Sequence, residues 1–169
     1  MTARDQVLEV LRRAYQIEVE GQTFYALCAH RADKPAVREL FEKLAGDEVQ
    51  HQVYLRQVLG KYAERGPAAF EVQRRQPDLG SIANGLFSER FRREAQGATF
   101  EMAVLSIGMQ LESNALTHFN AAAQGATETE VATFYRFLAD WEKEHYDALS
   151  TLSQSIRADF WDKAGFAPF

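Results

Sequence analysis

The chain has 169 residues, with one Cys, four His, and 24 acidic against 19 basic side chains for a net charge of −5. Its length and 46 % apolar content fit one domain, residues 1–169, that can bury a core of its own. The single Cys excludes an intrachain disulfide framework and any site needing two thiolates, the acidic balance speaks against a nucleic-acid partner, and no apolar run is long enough to span a bilayer.

The first stretch, MTARDQVLEVLRRAYQ, is charged throughout and does not read as a signal peptide, so a cytoplasmic location and no membrane contact are expected. Residues 3–30 carry Val7, Leu8, Leu11, Ala14 and Tyr15 at helical spacing. RADKP at 31–35 reads as a tight connection, with Asp33 as the cap and Pro35 in a first turn. A second helix is predicted from about Pro35 to Leu59, ended by Gly60. Residues 61–98 hold Gly66, Pro67, Pro77, Gly80 and Gly85 without sustained period, apart from a short helix around Phe87–Glu94. A link this long suits a crossover between the ends of a bundle. A third helix is predicted from Thr99 to Gly125, and Thr127 with Glu130 forms a capping signature for a fourth running to about Arg157. The aromatic-rich tail, 158–169, is expected to pack on the bundle or on a partner subunit. The fold class is all-α, an antiparallel four-helix bundle with one long crossover between helices 2 and 3.

The chain repeats itself. LAGDEVQH at 44–51 and LADWEKEH at 138–145 share Leu-Ala-x-x-Glu-x-x-His, and both Glu48 to Glu142 and His51 to His145 are steps of 94 residues. The same step carries Glu18 onto Glu112, Gln16 onto Gln110, Phe41 onto Tyr135 and Leu55 onto Leu149. One helix pair is echoed by the next without a gap.

On a helix, residues three, four and seven apart share a face. Glu18 then lies with Leu11, Ala14 and Tyr25, and Glu112 with Leu105, Ala115 and Phe119. Glu48 lies with Phe41, Leu44 and His51, and Glu142 with Tyr135, Leu138 and His145. All four acids are thus expected to turn inward, where an unpaired carboxylate costs several kcal/mol, by order of magnitude. No Lys or Arg occupies these stripes. Bound cations are the remaining compensation: four carboxylates balance two divalent ions, and two imidazoles complete the ligand set without adding charge. Hard oxygen ligands suit iron or manganese, and zinc is also possible. His30 and His118 lack the pattern and are expected at the surface or in packing. Tyr25 is expected either as a core aromatic or as a hydroxyl bonded to a ligand carboxylate.

Glu18-x-x-Gly21-x-x-Phe24-Tyr25, FEKLAGDEVQH, Glu112 and LADWEKEH together resemble the rubrerythrin branch of the ferritin-like superfamily, over about 14–59 and 105–152. The resemblance implies a ferritin-like bundle with a di-iron centre held by Glu18, Glu48, His51, Glu112, Glu142 and His145. Glu48 and Glu142 are the expected bridging ligands and Glu18 and Glu112 the terminal ones. The implied activity is reduction of hydrogen peroxide or oxygen; a ferroxidase and a quinone hydroxylase-like monooxygenase are the alternatives. Full-length rubrerythrins end in a rubredoxin-like module needing four cysteines, so a separate electron-donor protein is expected here. Their third helix carries a second glutamate where this chain has Ala115. A homodimer is the expected assembly.

Overall fold

The computed structural model describes residues 2–70 and 99–164. Among these, four long helices account for nearly everything and no strand occurs: α1 (Ala3–Arg31), α2 (Pro35–Arg65), α3 (Thr99–Gly125) and α4 (Thr129–Ala164), with a short 3-10 turn at Gly66–Phe70 after α2. The bundle is all-α, as the periodicity predicts.

The helix ends differ from the sequence reading in four places. Thr2 caps α1 in a reciprocal box with Asp5: the Asp5 amide donates to the Thr2 hydroxyl at 3.1 Å and the Thr2 amide to the Asp5 carboxylate at 2.9 Å. At α2 the cap position is Lys34, not Asp33, and no side chain caps it; Pro35 is the first helical residue, where its missing N–H is no loss. Gly60 does not end α2. The helix runs to Arg65 and stops at Gly66, whose φ of +63° lies in the left-handed region that a side chain disfavours, with Pro67 next. A glycine inside a helix costs only about 1 kcal/mol, which the packing of Leu55, Val58 and Tyr62 on either side of Gly60 outweighs. α4 begins at Thr129, one residue later than a cap at Thr127 implies, and it continues to Ala164, beyond Arg157 and into the tail segment 158–169. The expected crossover, 61–98, therefore opens with the last turn of α2. The short helix expected around Phe87–Glu94 lies outside the described residues.

α1 and α2 form one antiparallel pair. Arg4 bonds the Ala63 carbonyl, Tyr15 accepts from Arg56 at 2.8 Å, and Glu18 meets His51 at 3.0 Å, so positions advance on one helix as they recede on the other. α3 and α4 pair in the same way, with Gly108 against Leu149. Lys34, in the connection before α2, reaches the buried Glu101 in the first turn of α3 at 3.5 Å and ties the two pairs together.

The core falls into two apolar halves. One holds Tyr25, Phe41, Leu44, Leu105 and Leu149. The other holds Leu11, Leu55, Phe119, Leu138 and Trp141. On every helix the glutamate singled out above lies between its contributions to the two halves. The fold thus has a polar waist between two greasy ends, and that waist is where charge meets low dielectric.

Candidate metal centre

Each helix delivers its ligand candidates to the waist from a single inward stripe. Glu18 comes from α1, Glu48 and His51 from one turn of α2, Glu112 from α3, and Glu142 and His145 from one turn of α4. The structure brings all six together, and their exposures run from 0 to 4 %. Three sets have one ligand atom per residue within 4.8 Å of one another: Glu18, His51 and Glu142; Glu112, Glu142 and His145; and Glu48, His51 and His145.

The sets share members in a regular way. Glu142 belongs both to the set with Glu18 and His51 and to the set with Glu112 and His145. Glu48 turns one oxygen to each imidazole: Oε2 lies 3.3 Å from His51 Nδ1 and Oε1 lies 3.5 Å from His145 Nδ1. His51 Nδ1 also meets Glu18 Oε2 at 3.0 Å, and His145 Nδ1 lies 3.7 Å from Glu112 Oε1. Two like halves result, one around Glu18 and His51, the other around Glu112 and His145, with Glu48 and Glu142 common to both.

Electrostatics at the waist are strained without a cation. Burial, then the neighbouring Glu48 carboxylate, pushes the Glu18 carboxyl well above its usual range. Burial, then the surrounding carboxylates, does the same to Glu142. Burial opposes charge on Glu48 too, but the two imidazoles outweigh it and hold its carboxyl below the usual range. For His145 burial favours the neutral ring, and the carboxylates of Glu112 and Glu48 override it upward. Without a cation, Glu18, Glu142 and His145 thus hold their protons more tightly than they would in water.

Buried polar atoms rarely go without partners. Here Glu18 Oε1, Glu48 Oε2, Glu142 Oε1, His51 Nε2 and both nitrogens of His145 have no hydrogen-bond partner among the described residues. These atoms belong to the residues that converge, and they are the oxygen and imidazole donors that divalent first-row metals take. The residues fit a pair of such ions: four carboxylates for four positive charges, one imidazole in each half.

Tyr25 stands beside this cluster. Its hydroxyl, fully buried, donates to Glu112 Oε1 at 2.5 Å, so it is the bonded hydroxyl rather than a plain core aromatic. The bond fixes the Glu112 carboxylate while leaving its other oxygen free of it. His30 is exposed, as expected. His118 is half-buried, its Nε2 without a partner among the described residues, on the edge of a cavity that reaches the cluster.

Three features escaped the sequence reading. Trp141 lies flat on His51, ring centres 4.2 Å apart, and fixes that imidazole by stacking. Gly21 makes room for Glu48: a Cβ there would sit 3.2 Å from Oε1. Gly108 makes room for Tyr25, whose hydroxyl would lie 3.2 Å from a Cβ. Both glycines are mid-helix, where glycine is disfavoured. That mismatch, at positions facing a ligand stripe, was the signal available.

A family model described as Rubrerythrin matches residues 9–153, a span that takes in all six residues of the cluster. No curated protein and no solved structure matches the chain. Among the described residues, no helix is long and apolar enough to cross a membrane.

Proposed function

The chain belongs to the rubrerythrin family, and on that footing we propose that it is a di-iron oxidoreductase that reduces hydrogen peroxide with electrons from a separate donor protein. The observation that carries the reading is the convergence of six buried side chains into two halves sharing Glu48 and Glu142, five of the six with donor atoms that have no hydrogen-bond partner among the described residues. Glu18 and His51 would hold one ion, Glu112 and His145 the other, and Glu48 and Glu142 would span both. When bound, the two ions supply the two electrons that, with two protons, convert peroxide to two waters.

The rest is the work of the chain's own residues. Glu18 and Glu142, whose carboxyls hold protons more tightly than usual, would give them up on binding a cation. Tyr25 holds Glu112 in a single orientation, and Trp141 holds His51. The apolar halves on either side exclude bulk water from the waist and strengthen each electrostatic contact in it. Location in the cytoplasm and assembly as a homodimer complete the proposal.

The test is anaerobic ferrous protein mixed with peroxide in a stopped-flow spectrometer. Fast oxidation that is lost in Glu48→Ala supports the reading; slow oxidation unaffected by that substitution overturns it. Turnover with a sustained electron donor, against the iron load retained per chain, separates a peroxide reductase from a ferroxidase.

A further inference from the structure

A cavity of about 150 Å³ opens between α1 and α3 and ends on the cluster. Its floor is Glu18, Glu48, Glu112 and Glu142, and the unpartnered Oε1 atoms of Glu18 and Glu142 belong to residues that line it. Its rim is polar. On α1, Arg13 pairs with Glu20 at 3.3 Å, both side chains about half exposed. On α3, Asn114 is exposed and accepts from Gln110 at 2.8 Å, while His118 Nε2 is buried without a partner among the described residues. Between rim and floor the α3 wall is Ala115, one turn beyond Glu112 and only 2 % exposed. A methyl group there leaves space that a longer side chain would fill.

We propose that this cavity is the port by which metal ions and the oxidant reach the cluster, and that Ala115 sets the size of what passes. The inference rests on the di-metal reading above and adds the route to it and the residue that limits that route. A cavity of this volume holds a benzene-sized molecule at most, about six heavy atoms. Hydrogen peroxide and dioxygen pass; an aryl hydroperoxide or a tailed quinone does not. The carboxyl oxygens at the floor are donors that a divalent cation takes, and a neutral peroxide meets no charge barrier on the way to them.

The experiment follows two rates in wild type, Ala115→Leu and Asn114→Trp. The first is Co(II) uptake by the metal-free protein, read from its absorbance. The second is oxidation of the ferrous protein by hydrogen peroxide and by cumene hydroperoxide. Wild type is expected to take up two Co(II) per chain and to react with hydrogen peroxide much faster than with the aryl compound. Both variants are expected to reach the same final Co(II) content while slowing uptake and peroxide oxidation about tenfold, the effect of one additional ~1.4 kcal/mol barrier. Unchanged rates in the variants, or equal rates for the two peroxides in wild type, overturn the port and leave the di-metal reading standing. Wild type that takes up no metal overturns the di-metal reading, and the port with it. If Ala115→Leu does not fold, Asn114→Trp, at an exposed rim position, decides.

Discussion

Gly21→Ala separates folding from metal binding at a single atom. In a helix interior alanine is better than glycine by about 1 kcal/mol, so a neutral change at an exposed site would raise the melting temperature by about 2–4 °C in a domain of this length. At position 21 the new Cβ would lie 3.2 Å from Glu48 Oε1 and 3.3 Å from its Cδ. The carboxylate must retreat by a few tenths of an ångström, and it is the end of a side chain, so it can. The metal-free variant is therefore expected to be as stable as wild type or slightly more so. The displaced group is the carboxylate with one oxygen toward each imidazole, 3.3 Å from His51 and 3.5 Å from His145. Metal affinity is expected to fall about 10-fold, the lower end of what disturbing a ligand's support does. Chelator competition and thermal melts with and without metal measure both quantities. Unchanged affinity would refute the placement of Glu48 as a shared ligand. A metal-free variant destabilised by more than about 2 kcal/mol would show instead that Gly21 serves core packing, where overfilling has that magnitude.

Further outcomes follow from the same geometry. Tyr25→Phe removes the 2.5 Å bond to Glu112 and is expected to cost 10–100-fold in metal affinity, measured by chelator competition; no change would make Tyr25 a packing residue only. Metal-free protein is expected to become less stable as pH rises from mildly acid to alkaline values. The folded-state pKa values of Glu18, Glu142 and His145 all lie above their ordinary ones, so the folded state holds more protons than the unfolded one and loses that advantage as pH climbs through the raised values. Glu48, held below its ordinary range, works the other way, but only at acid pH. Urea midpoints across pH give the slope, and metal-loaded protein is expected to lose it because cations replace the protons. In a Trp161→Phe background, Co(II) is expected to quench the emission of Trp141, which stacks on His51 at 4.2 Å; unquenched emission at full loading would place the ion elsewhere.

The site was more legible in the sequence than the helix ends were. Four acids on inward stripes, two of them in Glu-x-x-His at a fixed step of 94 residues, are signals that survive any small error in element boundaries. Boundaries depend on a balance of about 1 kcal/mol that packing tips. Gly60 read as a stop, yet Leu55, Val58 and Tyr62 bury around it and the chain keeps turning until Gly66, where φ is positive. Asp33 read as a cap, yet the chain enters α2 one residue later, at Lys34 and Pro35. The contacts that hold the ligands were only partly legible, for another reason. Trp141 on His51 and Tyr25 on Glu112 cross from one helix pair to the other, so the inward stripe left Tyr25 with two readings and gave no sign of Trp141. Ala115 was visible as a missing glutamate, and only the fold turns that absence into the wall of a cavity.

Metal content of the freshly purified chain, grown with ample iron, tests the central claim most directly. Two ions per chain are expected, iron foremost, with both lost together in Glu48→Ala because that carboxylate faces both halves of the cluster. Protein that purifies without metal and takes up none when ferrous iron is supplied anaerobically, or a Glu48→Ala variant that keeps its full load, would contradict it.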